Sequence, residues 1–98
     1  MLSDGQRCIE TARAFRQAGE HNKAKFWALR AEGYCPPDSD AYWEALDELS
    51  LAYYHTGFPG EAREMMSSLV PLVPAEQYAR ICENISWAQK VCDGRVKL

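Results

Sequence analysis

The sequence repeats itself at a displacement of 38 residues, and this internal repeat limits the possible folds more than any other feature. The matched positions carry residues of similar kind: small or apolar residues, an aromatic, a glycine and a proline. The pairs are Cys8 and Leu46, Ala12 and Ser50, Phe15 and Tyr53, Gly19 and Gly57, Ala24 and Ala62, Ala31 and Leu69, and Pro36 and Pro74. Repeats of this length are typical of stacked units that cover one another's apolar faces.

The first repeat has the pattern of two helices joined by a tight turn. Ser3 and Gln6 have the spacing of a capping box, and apolar residues then recur every three to four positions. Gly19 ends this helix. A second helix is predicted from about residue 22 to residue 32, with Gly33 stopping it in a left-handed conformation.

The second repeat follows the turn sequence of residues 35–39 and has the same plan. Asp38 or Ser39 can cap a long helix that ends near Thr56. Pro59 suits the first turn of a fourth helix, because the N–H that proline lacks has no helical partner there.

One further helix is predicted over residues 75–92, closed by Asp93 and Gly94, and no segment shows the period-two alternation of a strand. We therefore expect an all-α fold, a right-handed stack of antiparallel helical hairpins with about five helices. A chain of 98 residues closes one modest core. The expected single domain divides into repeat one (3–37), repeat two (38–74), a terminal helix (75–92) and a tail (93–98).

The paired helices resemble the tetratricopeptide repeat (TPR). That unit has small residues where its helices touch, an aromatic late in the first helix, a glycine at the turn and a proline after the second helix. The TPR unit is about 34 residues long, so the longer displacement requires an insertion, which we place in residues 34–42. The tryptophan that is usual early in the first helix is replaced by Cys8 and Leu46.

The resemblance implies a concave groove lined by the first helix of each unit, where partners bind as extended peptides or short helices. We therefore expect a non-catalytic module for protein–protein interaction or oligomerisation. The partner-binding residues would be Arg13, Arg16, Glu44, Asp47, Leu51 and Tyr54. Further lining would come from Gln6 and Ile9 of the first helix. The fifth helix repeats the pattern of the third at a displacement of 35, and by this alignment it would add Ala79, Cys82, Ser86 and Gln89. The groove would then have a basic wall, an acidic floor and a small neutral wall.

The fifth helix has no following partner helix in this pattern, which predicts an exposed edge. Trp87 lies off its apolar stripe, near Asn84 and Val91, and these three residues form a candidate contact for a homodimer. In the alternative, Trp87 folds back onto the preceding hairpin.

Two other functions remain open from the sequence. Residues 43–54, together with Asn84, are similar to the helical repeats appended to some glycosyltransferases, which implies an accessory or regulatory module of such a system. The second alternative is a small metal-binding protein, although His21 and His55 have no metal-ligand spacing. The cysteines contain no Cys-x-x-Cys pair, so we expect buried thiols at Cys8, Cys35, Cys82 and Cys92.

Charge and hydropathy set the expectations about partners and location. The net charge is −3, with six Lys/Arg against three acids in residues 1–31, one against eight in residues 32–64 and four against three in residues 65–98. No basic face dominates, so we expect no nucleic-acid partner. No apolar run has membrane-spanning length and the start lacks a signal-peptide pattern, so we expect no membrane partner and a cytoplasmic location. With no phosphate loop and no dry cleft for acid/base chemistry, we expect no cofactor and no catalysis.

Overall fold

The computed structural model describes residues 2–97, and in this part of the chain every regular element is helical. The helices are α1 (Asp4–Gln17), α2 (His21–Tyr34), α3 (Asp40–His55), α4 (Pro59–Leu69) and α5 (Tyr78–Cys92). A short 3₁₀ turn, Ala75–Gln77, precedes α5, so the predicted fifth helix is α-helical only from Tyr78. The prediction of an all-α stack of helical hairpins is confirmed.

The predicted signals at the helix ends are present. The Ser3 hydroxyl accepts from the Gln6 N–H at 3.2 Å, and the Gln6 side chain accepts from the Ser3 N–H at 3.1 Å. Gly19, Gly57 and Gly94 have φ of 78°, 95° and 75°, a region that favours glycine because it has no Cβ. After each glycine, the next N–H donates back to the carbonyl five residues earlier, at 2.8 to 2.9 Å. The chain therefore turns at these three points by the same hydrogen-bonding scheme.

Two predicted signals at the ends of α2 and α3 are wrong. Gly33 does not stop α2, which continues through Tyr34 and ends at the extended residue Cys35. The stop comes from Pro36, because a proline disfavours the helical conformation of the residue before it. Ser39 is the N-terminal cap residue of α3, but its hydroxyl donates to the Pro36 carbonyl at 2.7 Å instead of accepting from the helix.

The helices pack through small residues into a continuous core. Ala12, Ala24, Ala28 and Ala31 are at most 2 % exposed, and their size allows the α1 and α2 backbones to approach closely. Leu49 of α3 packs against Ala12 and Ala28, which joins the second hairpin to the first. Along α4 and α5, the core continues through Leu46, Leu69, Val73 and Ile81 and through Ala62, Met66 and Ala88.

The register of α5 differs by one residue from the sequence-based alignment. In α3, Ala45 and Leu49 face the preceding hairpin. In α5, Ile81 and Ile85 hold the same place against α4, which is a displacement of 36 and not 35. Ala79, Cys82 and Ser86 then face outward, and all three are exposed.

The cysteines divide into two classes. Cys8 and Cys35 are buried between α1, α2 and α3, as predicted. Cys82 and Cys92 are exposed, contrary to the prediction, because α5 packs mainly on α4 and has no helix on its outer side within the described residues. In residues 2–97, no helix combines the length and the apolar character needed to cross a bilayer.

Candidate functional site

A groove of about 540 Å³ lies between α1, α3 and α5. α3 forms its floor, and α1 and α5 form opposite walls. Its lining consists of charged and amide side chains together with one aromatic and one aliphatic residue. These residues are Arg13, Arg16, Trp43, Glu44, Asp47, Glu48, Leu51, Gln77, Arg80 and Asn84.

Glu48 ties the floor of the groove to the α1 wall. Its side chain is only 4 % exposed, and its carboxylate accepts hydrogen bonds from two of the three arginines of α1. Arg13 donates from Nε at 3.1 Å, and Arg16 donates from Nε at 2.7 Å and from Nη2 at 3.2 Å. The hydrogen bond to Glu48 raises the pKa of Arg16, although burial opposes that shift. A buried carboxylate is stable here because two guanidinium groups replace its hydration.

Asp47 ties the same floor to the α5 wall. Its two carboxylate oxygens accept from Nη1 and Nη2 of Arg80 at 3.2 and 2.9 Å, and Arg80 Nε donates to Gln77 at 3.0 Å. Burial raises the pKa of the Asp47 carboxyl, and the hydrogen bonds from Arg80 only partly offset this. Asp47 and Glu48, which are consecutive residues of α3, thus form ion pairs with the two opposite walls of the groove.

The surface that a ligand would meet is formed by guanidinium groups that cover the carboxylates. The Arg13 and Arg80 side chains are 42 % and 41 % exposed, against 4 % for Glu48. Within the described part of the chain, Arg13 uses only its Nε–H in a hydrogen bond, so its terminal N–H groups are available for a ligand. Acidic residues thus form the floor, as predicted for Glu44 and Asp47, but Asp47 and Glu48 are buried and paired, and only Glu44 lacks an ion pair within the described residues.

The groove extends along α3 in both directions. At one end, a cleft of about 110 Å³ shares Arg13 and Glu44 with the groove and adds Gln6 and Ile9 among others. At the other end, a cleft of about 140 Å³ shares Leu51 and Asn84. That cleft also contains Tyr54, His55, Met66 and Trp87. The three spaces adjoin one another along α3 from Glu44 to His55, and together they are called the trough below.

The predicted groove residues of α1 and α3 lie in this trough. Arg13, Arg16, Glu44, Asp47 and Leu51 line its centre, Tyr54 lines the cleft at one end, and Gln6 and Ile9 line the cleft at the other.

The predicted groove residues of α5 are wrong. Ala79, Cys82 and Ser86 are exposed on its outer face, and Gln89 accepts from Arg63 Nη1 of α4 at 2.6 Å. The sequence-based prediction missed the following groove residues: Trp43, Glu48, Gln77, Arg80 and Asn84. A displacement of 36 for the fifth helix would have indicated the correct α5 face.

Two of the three residues of the predicted homodimer edge, Asn84 and Trp87, line the same end cleft. Asn84 lines the groove, and Trp87 shares the end cleft with Tyr54. Trp87 is 43 % exposed, and Lys90 Nζ lies 4.8 Å from the centre of its ring. Val91 is half-buried and lies on neither the groove nor the end cleft.

The structure brings His21 and His55 together, although they lie far apart in the sequence. Their rings stack with centroids 4.2 Å apart and planes 16° apart, and the edge of Tyr54 contacts His55. His21 Nδ1 is buried and has no hydrogen-bond partner among the residues that the structure describes. Over residues 2–97, no three His, Cys, Asp or Glu side chains cluster closely enough to hold a metal ion.

The histidine stack predicts that acid destabilises the fold. Burial, the neighbouring His21 and the charge of Arg16 lower the pKa of His55 below its ordinary value of 6.5. As the pH falls through 6.5, the unfolded chain takes up a proton at His55 that the folded chain does not, so the free energy of unfolding decreases. Urea unfolding at a series of pH values should show this slope, and His55→Gln should reduce it. An unchanged slope in the variant would contradict the assignment.

Comparison with known protein families, with curated proteins and with solved structures finds no match for this chain. The likeness to the TPR therefore stays a resemblance carried by the repeat residues, and the groove itself is the basis for an argument about function.

Proposed function

We propose that the chain is a non-catalytic, TPR-like interaction module that binds an extended peptide segment of a protein partner in the trough between α1, α3 and α5. The observation that carries the proposal is the shape of the trough, which follows α3 from Glu44 to His55. At a rise of about 1.5 Å per residue, this length of helix spans roughly 16 Å. About five residues of extended peptide cover that distance at roughly 3.3 Å each.

The ion pairs of the trough favour binding because they fix its walls in advance. Arg16 and Arg80 each make two hydrogen bonds to buried carboxylates of α3, so their guanidinium groups have little freedom left to lose. A site that is already ordered loses less conformational entropy when a ligand binds.

The lining offers both kinds of contact that a peptide needs. Trp43, Leu51 and Tyr54 provide apolar surface along α3 for side chains of the ligand. Arg13 on the α1 wall provides N–H donors for peptide carbonyl or carboxylate oxygens. Aromatic and arginine residues are also the types most often found at the energetic centre of protein interfaces.

Peptides selected from a random library on the immobilised protein test the proposal. We expect Arg13→Ala and Tyr54→Ala each to weaken the binding of selected peptides about tenfold or more, which corresponds to roughly 1.4 kcal/mol. Arg7→Ala is the matched control, because Arg7 is exposed on α1 outside the trough. Binding measured by calorimetry should be unchanged in this control.

NMR chemical shifts locate the binding site independently of the variants. The peptide should shift amide resonances of α1, α3 and α5 on the groove side. Selected peptides that shift only α2 or α4, and that bind Arg13→Ala as well as the wild type, would exclude the trough as the site. The alternative of an accessory module in a glycosyltransferase system would use the same trough and stays a prediction.

A further inference from the structure

The outer face of α2 carries an exposed apolar stripe that the trough does not use. Phe26, Leu29 and Tyr34 are 53 %, 44 % and 52 % exposed. Gly33 lies between them, and a shallow depression lined by Leu29, Arg30, Gly33 and Tyr34 runs along this face. A contiguous exposed apolar patch is typical of a surface that another molecule covers.

The packing of the hairpin does not require these residues. The second hairpin buries Ala62, Met66 and Leu69 of α4 where the first buries Ala24, Ala28 and Ala31 of α2. On the outer side, however, α4 carries Glu64 and Ser67 at the positions that match Phe26 and Leu29. One repeat thus has an ordinary polar surface where the other has an apolar one.

Gly33 supports the same conclusion. It is a helical residue with no positive φ, and a Cβ added there would meet no atom within 4 Å. Glycine is unfavourable inside a helix compared with alanine. Among residues 2–97, no atom packs closely enough on Gly33 to require a glycine, whereas a neighbour that packs closely on this face would require one.

The outer faces of α2 and α4 are complementary in charge. The α2 stripe is flanked by Lys23 and Arg30. Lys23 Nζ lies 3.4 Å from Glu20 Oε2 in an exposed pair, and the Arg30 guanidinium lies 5.6 Å from the Phe26 ring. The α4 face presents two exposed carboxylates, Glu61 and Glu64. At the repeat displacement of 38, Lys23 matches Glu61, so the charge reverses at equivalent positions. Leu72 matches Tyr34 at the same displacement and is 44 % exposed. It adds one apolar residue just after the C-terminal end of α4.

We propose that two copies of the chain associate through these faces, with α2 of each copy packed on α4 of the other. The trough is lined mainly by α1, α3 and α5, and the α4 residue in its lining, Met66, is buried. The outer faces of α2 and α4 therefore remain accessible when a peptide is bound. A twofold arrangement makes the contact twice, because each copy offers both faces. Pairing of α2 with α2 is disfavoured, since in an antiparallel pair the edges that carry Lys23 and Arg30 would meet.

Charge exchange tests this pairing. One variant carries Lys23→Glu and Arg30→Glu, and the other carries Glu61→Lys and Glu64→Lys. Each variant alone places like charges against each other, so sedimentation equilibrium should show monomers. An equimolar mixture restores opposite charges at both contacts, so we expect a heterodimer. The wild type should show a concentration-dependent dimer that weakens with added salt.

The apolar part of the contact has its own test. Phe26→Ser with Leu29→Ser copies the polar character of α4 and should reduce dimerisation at least tenfold. Tyr78→Ser is the matched control, because Tyr78 is a comparably exposed aromatic on another helix. Arg13→Ala should dimerise like the wild type, which separates this contact from peptide binding. Circular dichroism should show that every variant is folded.

Two results would overturn the proposal. The first is a wild-type chain that remains monomeric at millimolar concentration. The second is a mixture of the two charge variants that forms no heterodimer while both variants are folded.

Discussion

Replacement of Glu48 by alanine is expected to lower the free energy of unfolding by about 2–3 kcal/mol. The variant loses three hydrogen bonds from arginine and leaves Arg13 and Arg16 without their shared carboxylate. Breaking a fully buried pair costs about 3–5 kcal/mol. The lower value applies because the two arginine side chains are 42 % and 29 % exposed and can be hydrated again.

Urea unfolding followed by circular dichroism measures this loss. Glu44→Ala is the matched control, since Glu44 lies one turn earlier on α3, in the same groove, and makes no ion pair within the described residues. A surface change of that kind is expected to stay within about 0.5 kcal/mol of the wild type. Equal losses in the two variants would mean that the pairs with Arg13 and Arg16 do not stabilise the fold.

Replacement of Ile81 by alanine is expected to cost about 3–4 kcal/mol. Ile81 is fully buried among Leu46, Leu69 and Val73, and it is one of only two buried residues of α5. The lost contacts leave a cavity between α5 and α4, and in the described part of the chain no second helix packs on the outer side of α5 to compensate. The loss should therefore appear first as detachment of α5.

Hydrogen exchange in the native state distinguishes detachment from uniform weakening. The amides of α5 should exchange faster in Ile81→Ala than those of α1 and α2, because α5 opens at a lower free energy. Ile85→Ala provides the comparison, since Ile85 is only partly buried on the same face. This variant should lose less of its free energy of unfolding than Ile81→Ala. Amides in α5 that stay as protected as those of α1 would contradict this account.

Local signals in the sequence predicted most of the fold. The capping box of Ser3 and Gln6 and the turns at Gly19 and Gly57 depend on residues within five positions of each other, so their chemistry is readable without the tertiary structure. The prediction that α2 ends at Gly33 was wrong because a glycine near a helix end is a common stop signal. The proline that follows three residues later is what ends the helix.

The site could be predicted only in part, because its chemistry depends on partners far apart in the chain. Glu48 lies 35 residues from Arg13, and Asp47 lies 33 residues from Arg80. Acidic residues are usually exposed, so the sequence alone predicts that Asp47 and Glu48 lie on a solvated surface. Their burial follows from the arginines that α1 and α5 place above them, and the position of Arg80 depended on a register that was wrong by one residue.

The two ion-pair systems of α3 also limit which ligands the trough admits. Asp47 and Glu48 are neighbours in the chain, so the spacing between α1 and α5 is set by two side chains from a single turn of helix. A bulky ligand could widen the trough only by separating a carboxylate from its guanidinium partner. If the trough binds a peptide as proposed, the cost of that separation should favour slender extended segments over folded helices with large side chains.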